Sequence, residues 1–257
     1  MGSIAVILVG VILKGYFLSN YLWDLILGML VVFFAMAGGN ALNDYYDREV
    51  DLINHPDRPI PSGKVSPKNA LIFGLFLFLL AIVFSALINI WTFIITILAE
   101  IAMFSYEAKL KNKGFVGNVT ISILVGLIFV FGGAIFNDIL RISIFALMAF
   151  FSNLGREIVK DIEDIEGDIN RQTLPKKIGE KNAGIIASTF FILAVGLSPL
   201  PYLCLGFSIY YMLSVLISDA IFIYVAIIHF KNPTRGQKGA KLAMVMGLIS
   251  YLIGGLT

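Results

Sequence analysis

The chain has 257 residues, of which 58% are hydrophobic and only 14% charged, and its mean hydropathy is +0.89. Soluble domains carry about a quarter charged residues, so this composition excludes an ordinary soluble fold and indicates an all-α polytopic membrane protein. A single cysteine (Cys204) and two separated histidines (His55 and His229) exclude a disulfide framework, a thiolate metal site and a His-based zinc site, and a net charge of +2 gives no sign of a nucleic-acid partner.

A helix needs about 20 apolar residues to cross a bilayer. Nine runs are expected to do so, at roughly 3–19, 23–46, 68–89, 91–108, 115–137, 139–160, 183–200, 205–230 and 239–256. The first run lacks a small-residue cleavage site and leads into further spans, so it reads as a span and not as a removable signal. Turn residues separate the runs, among them Pro56, Pro59, Pro61 and Gly63, then Asn112 and Gly114, Pro199 and Pro201, and Asn232 with Pro233. No Gly/Ser linker interrupts the chain, so residues 1–257 read as one domain. The loops after spans two, four, six and eight, with their flanks, hold 17 of the 19 basic residues, leaving only Lys14 and Arg141 elsewhere. The positive-inside rule then places those four loops and the N-terminus in the cytoplasm of a multi-pass cell-membrane protein, with the C-terminus outside.

Two of these cytoplasmic helix ends carry acids. In Asn40-Ala41-Leu42-Asn43-Asp44-Tyr45-Tyr46-Asp47-Arg48-Glu49-Val50-Asp51, helical periodicity puts Asn43, Asp47 and Asp51 on one face with Asp44 at its edge. At the end of span six, Asp161, Asp164 and Asp168 face one way, and Glu157 joins them one turn earlier. One such cluster alone reads as a helix terminus solvated at the interface. Two of them, on helices four spans apart, suggest two related four-helix halves plus a ninth helix, each half donating one acidic tip. Crowded carboxylates repel unless a cation occupies them. Hard carboxylate and amide oxygens suit Mg²⁺, which usually shares its coordination with water and substrate phosphate.

The basic residues at the same rim fit the rest of a diphosphate: Arg58, Lys109, Lys111 and Lys160, with Arg156 nearby. Lys113, Lys176, Lys177 and Lys181 read as topogenic charges only. Within apolar runs lie Glu100, Asn118, Asn153 and Asp219; Asn153 stands one turn before Glu157 and extends the second acidic face, whereas Glu100 and Asp219 fit equally well as ties between helices.

Asn43-x-x-x-Asp47-x-x-x-Asp51 followed by Asp57-Arg58-Pro59-Ile60-Pro61-Ser62-Gly63 resembles the first signature of the UbiA-type intramembrane prenyltransferases. Asp161-x-x-Asp164-Ile165-Glu166-Gly167-Asp168, with Thr173-Leu174-Pro175 and Ile178-Gly179, resembles the second, and Ser105-Tyr106 through Leu110-Lys111 and Gly117-Asn118 resemble the rim between them. The resemblance covers nearly the whole chain. It implies Mg²⁺-dependent transfer of a polyprenyl group from its diphosphate to a membrane-associated, lipid-like acceptor. Metal and diphosphate roles then fall on Asn43, Asp47, Asp51, Asp164 and Asp168, with Asp161 close by; Asp44, Tyr106, Asn118, Asn153 and Glu157 flank the metal or face the acceptor. Family members often begin with a short basic amphipathic segment that helps close the site, whereas this sequence opens directly in span one.

The run Arg156-Glu157-Ile158-Val159-Lys160-Asp161-Ile162-Glu163-Asp164 resembles the branch that builds archaeal ether lipids, adding a second geranylgeranyl chain to geranylgeranylglyceryl phosphate. The first motif also resembles that of chlorophyll synthases, which leaves a tetrapyrrole or quinone-precursor acceptor open. Outside the family, a divalent-cation transporter would place its acids along a pore at mid-membrane and not at one rim. A CDP-alcohol phosphotransferase would need a D-x-x-D-G-x-x-A-R pattern, which is absent because Ile165 follows Asp164.

Overall fold

The computed structural model describes residues 2–167 and 172–257, which form helices and turns with no strand among them. In chain order the helices are α1 (Gly2–Lys14), α2 (Leu22–Tyr46), α3 (Arg48–Asn54), α4 (Pro67–Ala86), α5 (Ile90–Ala108), α6 (Phe115–Ile135) and α7 (Ile139–Glu163). They continue with α8 (Leu174–Ile178), α9 (Glu180–Leu197), α10 (Leu200–Leu205), α11 (Ile209–Ile228) and α12 (Pro233–Leu256).

Local chemistry sets the helix starts. Ser66 accepts a hydrogen bond from the Asn69 backbone N–H with Pro67 at the first helical position, and Asn89 and Thr92 cap α5 reciprocally. Asp138 and Asn232 likewise accept from the Arg141 and Arg235 amides at the heads of α7 and α12.

Eight helical segments are long and apolar enough to span a bilayer. The first expected span is the exception. Its α-helix ends at Lys14 after 13 residues, about 20 Å at 1.5 Å per residue and short of the ~30 Å hydrocarbon layer. Gly15, at φ +50°, breaks the α geometry and a 3₁₀ turn carries the chain on to Tyr21. α1 is an inner helix, packed against α2, α6 and α12.

The long helices close a ring: α2 packs on α4, α4 on α5, α5 on α6, α6 on α7, α7 on α9, α9 on α11, α11 on α12, and α12 returns through α1 to α2. The tightest junction is α2 with α4, where Gly38 and Gly74 face each other and a Cβ on either would stand 3.0–3.2 Å from the other's carbonyl oxygen. α1 against α6, and α7 against α12, bridge the interior and divide it in two. Large apolar side chains point outward along α4 and α11, Phe73, Phe76, Leu79, Leu213 and Ile217 among them, a surface matched to lipid and not to water.

The ends of the ring differ. At the end where α2 and α5 begin, Trp23 and Trp91 are exposed, as interfacial aromatics are. The two basic residues expected there are both tied down: Lys14 lies over the rings of Tyr21 and Phe136, and Arg141 donates to the Leu205 carbonyl. The opposite end, the rim, gathers the tips of α2, α5 and α7.

Candidate active site

At Asp47 the second helix bends without breaking its hydrogen-bond ladder. The Asp47 N–H still donates to Asn43 and the Asp51 N–H to Asp47, both at 2.8 Å, so α3 continues the face that the four-residue spacing predicts. The bend divides that face. Asn43 and Asp47 turn toward the interior and line a chamber of about 600 Å³. Asp51 is buried at 4% exposure and accepts from the Arg58 guanidinium at 2.7 Å, with Asp44 at 3.6 Å from the same nitrogen. The hydrogen bond from Asp51, with the charges of Asp51, Asp44 and Asp47, raises the Arg58 pKa above its ordinary value.

The end of α5 supplies the facing wall with Tyr106, Glu107 and Lys111. Lys111 Nζ donates to Asp47 Oδ2 at 2.5 Å and to Glu107 Oε2 at 3.3 Å. Asn43 Nδ2 donates to the same two oxygens at 3.1 and 3.0 Å. An ammonium and an amide thus bridge two carboxylates in a closed ring of four bonds. Glu107 is the residue missed from the sequence. Its signal was the i,i+4 spacing to Lys111 at the end of an apolar run.

The tip of α7 contributes Lys160 to the chamber wall, so the two acidic helices end at one rim. Its own acids are held otherwise. Asp161 is buried and accepts from Asn118 Nδ2 on α6 at 2.7 Å. Asn153 donates to Ser122 Oγ at 3.1 Å, its Oδ1 accepts from Arg156 at 3.4 Å, and Arg156 pairs with Glu157. Asp164 caps α7 and is exposed. Asp168, the last acid of the second motif, lies outside the described residues. Lys109 is exposed and not part of the chamber wall.

One glycine lets the residues that lead into α8 approach the α5–α6 turn. Gly114 has φ +60°, and a Cβ there would stand 2.0 Å from the Gln172 carbonyl oxygen. Gln172 and Thr173 are therefore seated directly on the α5–α6 turn.

The oxygens present suit a hard cation. Asp47 and Glu107 each present a carboxylate, and Asn43 spends its NH₂ on them, leaving its amide oxygen as an acceptor. No group of three His, Cys, Asp or Glu residues forms a metal cage among the described residues. Mg²⁺ does not require one, since it is commonly held by one or two carboxylates with substrate phosphate and water completing the shell.

Below this polar mouth the chamber is apolar, walled by Val31, Val32, Ile95, Leu124 and Phe131. The 16 residues from Asp47 back to Val31 along α2 make it about 24 Å deep. A charged mouth over a long greasy bore within a membrane bundle suits a ligand with an anionic head and a hydrocarbon tail, which defines an intramembrane lipid-handling protein.

Residues 3–249 match the UbiA prenyltransferase family, and the chain belongs to it. It is 43% identical over 263 aligned residues to the digeranylgeranylglyceryl phosphate synthase of Methanosphaera stadtmanae, covering 100% of this chain and 95% of that one. Among solved structures, one described as giving insights into the biosynthesis of digeranylgeranylglyceryl phosphate synthase in membranes superposes with a TM-score of 0.89 at 36% identity, covering 99% of this chain and 93% of that chain. A UbiA homologue from Archaeoglobus fulgidus bound to GPP and Mg²⁺ shares the fold at a TM-score of 0.64 and 18% identity, over 98% of this chain and 95% of that one.

Proposed function

We propose that this chain transfers a geranylgeranyl group from geranylgeranyl diphosphate to the free hydroxyl of geranylgeranylglyceryl phosphate, forming the second ether bond of an archaeal membrane lipid. The observation that carries this reading is the chamber itself: about 600 Å³, apolar along its bore, with Asp47, Glu107, Lys111 and Lys160 at its mouth. The full-length likeness to synthases of that name supports the choice of acceptor. The closure of α12 through α1 onto α2 supports one functional domain. The concentration of cations near the rim supports a cytoplasmic mouth and N-terminus, with the C-terminus outside.

In the reaction the allylic C–O bond of the donor breaks, the acceptor oxygen bonds to the freed carbon, and the hydroxyl proton and diphosphate leave. Asn43, Asp47 and Glu107, with Asp161 and Asp164 at the α7 tip and Asp168 further along the same motif, would hold Mg²⁺. The ion, when bound, supplies charge neutralisation for the departing diphosphate. Lys111 and Lys160 add fixed positive charge where the leaving group gathers negative charge, which favours the transition state over the ground state. Arg58, held beside Asp47 by Asp51 and Asp44, contributes from the edge of the mouth. The bore orients the tail so that the reacting carbon stays at the rim, and its apolar walls keep out the water that would otherwise capture the allylic cation as a prenyl alcohol.

The test is direct. Purified protein is given Mg²⁺ and geranylgeranyl diphosphate with either geranylgeranylglyceryl phosphate or an aromatic acid, and the product is identified by mass. The expected product is the diether phosphate, lost on chelation of Mg²⁺. Prenylation of the aromatic acid alone overturns the assignment of acceptor.

A further inference from the structure

A second cavity of about 290 Å³ lies on the far side of the partition, between α1, α7, α9, α11 and α12. Met36, Val125 and Ile128 line both it and the main chamber, so the two volumes adjoin across these three side chains. Met36 lies 11 residues before Asp47 on α2, which places the junction about 16 Å below the mouth. On the α7 side the cavity begins at Ser152, eight residues before Lys160, or about 12 Å below it. The interior therefore holds one bore from the mouth and one branch set against it at depth, with the unbranched Met36 in the wall between them.

The branch is built for hydrocarbon. Its polar side chains spend their protons internally. Ser218 donates to the Ala243 carbonyl at 2.8 Å, Ser152 to the Ala149 carbonyl at 3.2 Å, and Ser198 to Asp219 at 2.6 Å. Apart from Tyr251, whose hydroxyl donates to Met148 Sδ at 3.8 Å, the remaining wall is apolar, including Phe129, Phe222 and Leu248. Met36 in the dividing wall is adaptable, suited to passing an irregular chain.

We infer that this branch holds the distal half of the acceptor's isoprenoid tail, while the donor's tail fills the main bore. The inference rests on the reading of the chamber given above. On one and the same measure the main chamber is about 600 Å³ and the branch about 290 Å³, so the branch has about half the room of the bore. The reaction brings two isoprenoid tails to one mouth. With one tail in the bore, the branch offers room for about half of the second. It adjoins the bore at α2 and α6 and runs from there toward α11 and α12, away from the Asp47–Lys111 pair, and so serves the other substrate.

Two experiments test this. In the first, Gly247, whose added Cβ would meet nothing nearer than Ser218 Oγ at 3.5 Å, is replaced as Gly247→Leu, with Ala149→Leu from the opposite wall as the second variant. The KM for the C20-tailed acceptor should rise about tenfold or more, while that for a C10-tailed glyceryl phosphate and that for geranylgeranyl diphosphate stay within about twofold. Equal effects on both acceptors, an effect on the donor alone, or no effect in either variant overturns the assignment. In the second, which needs no variant, each substrate in turn carries a diazirine at its tail end and labels the unaltered protein. The acceptor should mark α11 or α12 and the donor α2, α5 or α6. Acceptor label confined to α2 and α5, or donor label on α11 and α12, reverses or removes the assignment. If the unaltered protein transfers to no glyceryl phosphate of any tail length, the proposed function has failed; normal transfer with the wrong labelling means that only the branch assignment has failed.

Discussion

The tips of α2 and α7 carry acids at similar helical spacing, yet they are held in opposite ways. At α2 the carboxylates are matched by cations whose side chains still reach solvent: Lys111 for Asp47, and Arg58 for Asp51 and Asp44. At α7 the innermost acid, Asp161, accepts from the amide of Asn118 and is buried. An ion pair with a part-exposed lysine can be exchanged for another cation, because the ammonium retains water to return to. The amide bond to Asp161 is costlier to exchange, since it would take a donor from a carboxylate that water barely reaches. Asp47 is thus placed to trade partners, while Asp161 fixes the base of the α7 tip and Asp164 reaches solvent beyond it.

The largest expected effect follows from that difference. Asp47→Asn keeps the shape of the side chain and removes the charge that Lys111 and a divalent cation share. kcat should fall by about 10³-fold or more, while thermal unfolding in detergent shifts by only a few degrees. A retained rate within tenfold of the unaltered protein would remove Asp47 from the metal site and dissolve the contrast between the tips.

Glu107→Gln comes next. Its carboxylate bonds only through Oε2 among the described partners, to Asn43 and Lys111, and an amide there preserves one acceptor while deleting the charge. Activity should drop by about 10- to 100-fold (1.4 to 2.7 kcal/mol), with the Mg²⁺ concentration for half-maximal rate raised and that for the acceptor unchanged. An unchanged Mg²⁺ requirement would leave Glu107 as a clamp for Lys111 alone.

Much of this was legible before the coordinates. Helical periodicity over 43–51 and 157–168 picked out both acidic tips, and the segregation of 17 of 19 basic residues located the rim. The span boundaries held because lipid leaves a helix no other place for its backbone polar groups. The first span read too long because composition registers the apolar run and not the break at Gly15. The split of the first cluster was invisible for a related reason: spacing gives the face of an ideal helix, and the bend at Asp47 turns Asp51 away from Asn43. Glu107 escaped because its partner, Asn43, lies 64 residues away on another helix, and only the ring closure brings them together.

The α7 side of the bundle has its own test, in pH. His229 sits at the end of α11 against α9 and α12, 1% exposed, with Nε2 and Ser188 Oγ 2.9 Å apart. Ser188 already donates its proton to the Ala226 carbonyl, so Nε2–H is the donor and Nδ1 is bare, with no partner for a second proton. Burial accordingly lowers the His229 pKa to about 4. The sign follows from proton counts. Between the ordinary value near 6.5 and about 4 the unfolded chain binds a proton that the folded chain refuses, so stability is full above 6.5 and falls as pH drops toward 4. By pH 5 the loss is on the order of 2 kcal/mol. Unfolding midpoints in detergent at pH 7.5 and 5.0 measure it, and His229→Gln should shrink the difference between them. If the variant shows the same pH dependence, the imidazole is not what anchors this side of the bundle.

The smallest effect belongs to Arg58. Its guanidinium is 42% exposed, so water screens its pairs with Asp51 and Asp44, and Arg58→Ala should cost less than about 1 kcal/mol in stability. On activity the expected loss is about tenfold or less in kcat/KM (1.4 kcal/mol), expressed mainly as a raised KM for the prenyl diphosphate. Arg58→Lys restores the charge without the planar fork that grips Asp51. It should recover the KM for the diphosphate while leaving the small stability deficit in place. Recovery of neither quantity by lysine would mean that Arg58 acts only by fixing Asp51. A loss above 10³-fold in the alanine variant would instead put Arg58 at the reacting phosphates, and make it as central to the exchangeable tip as Lys111.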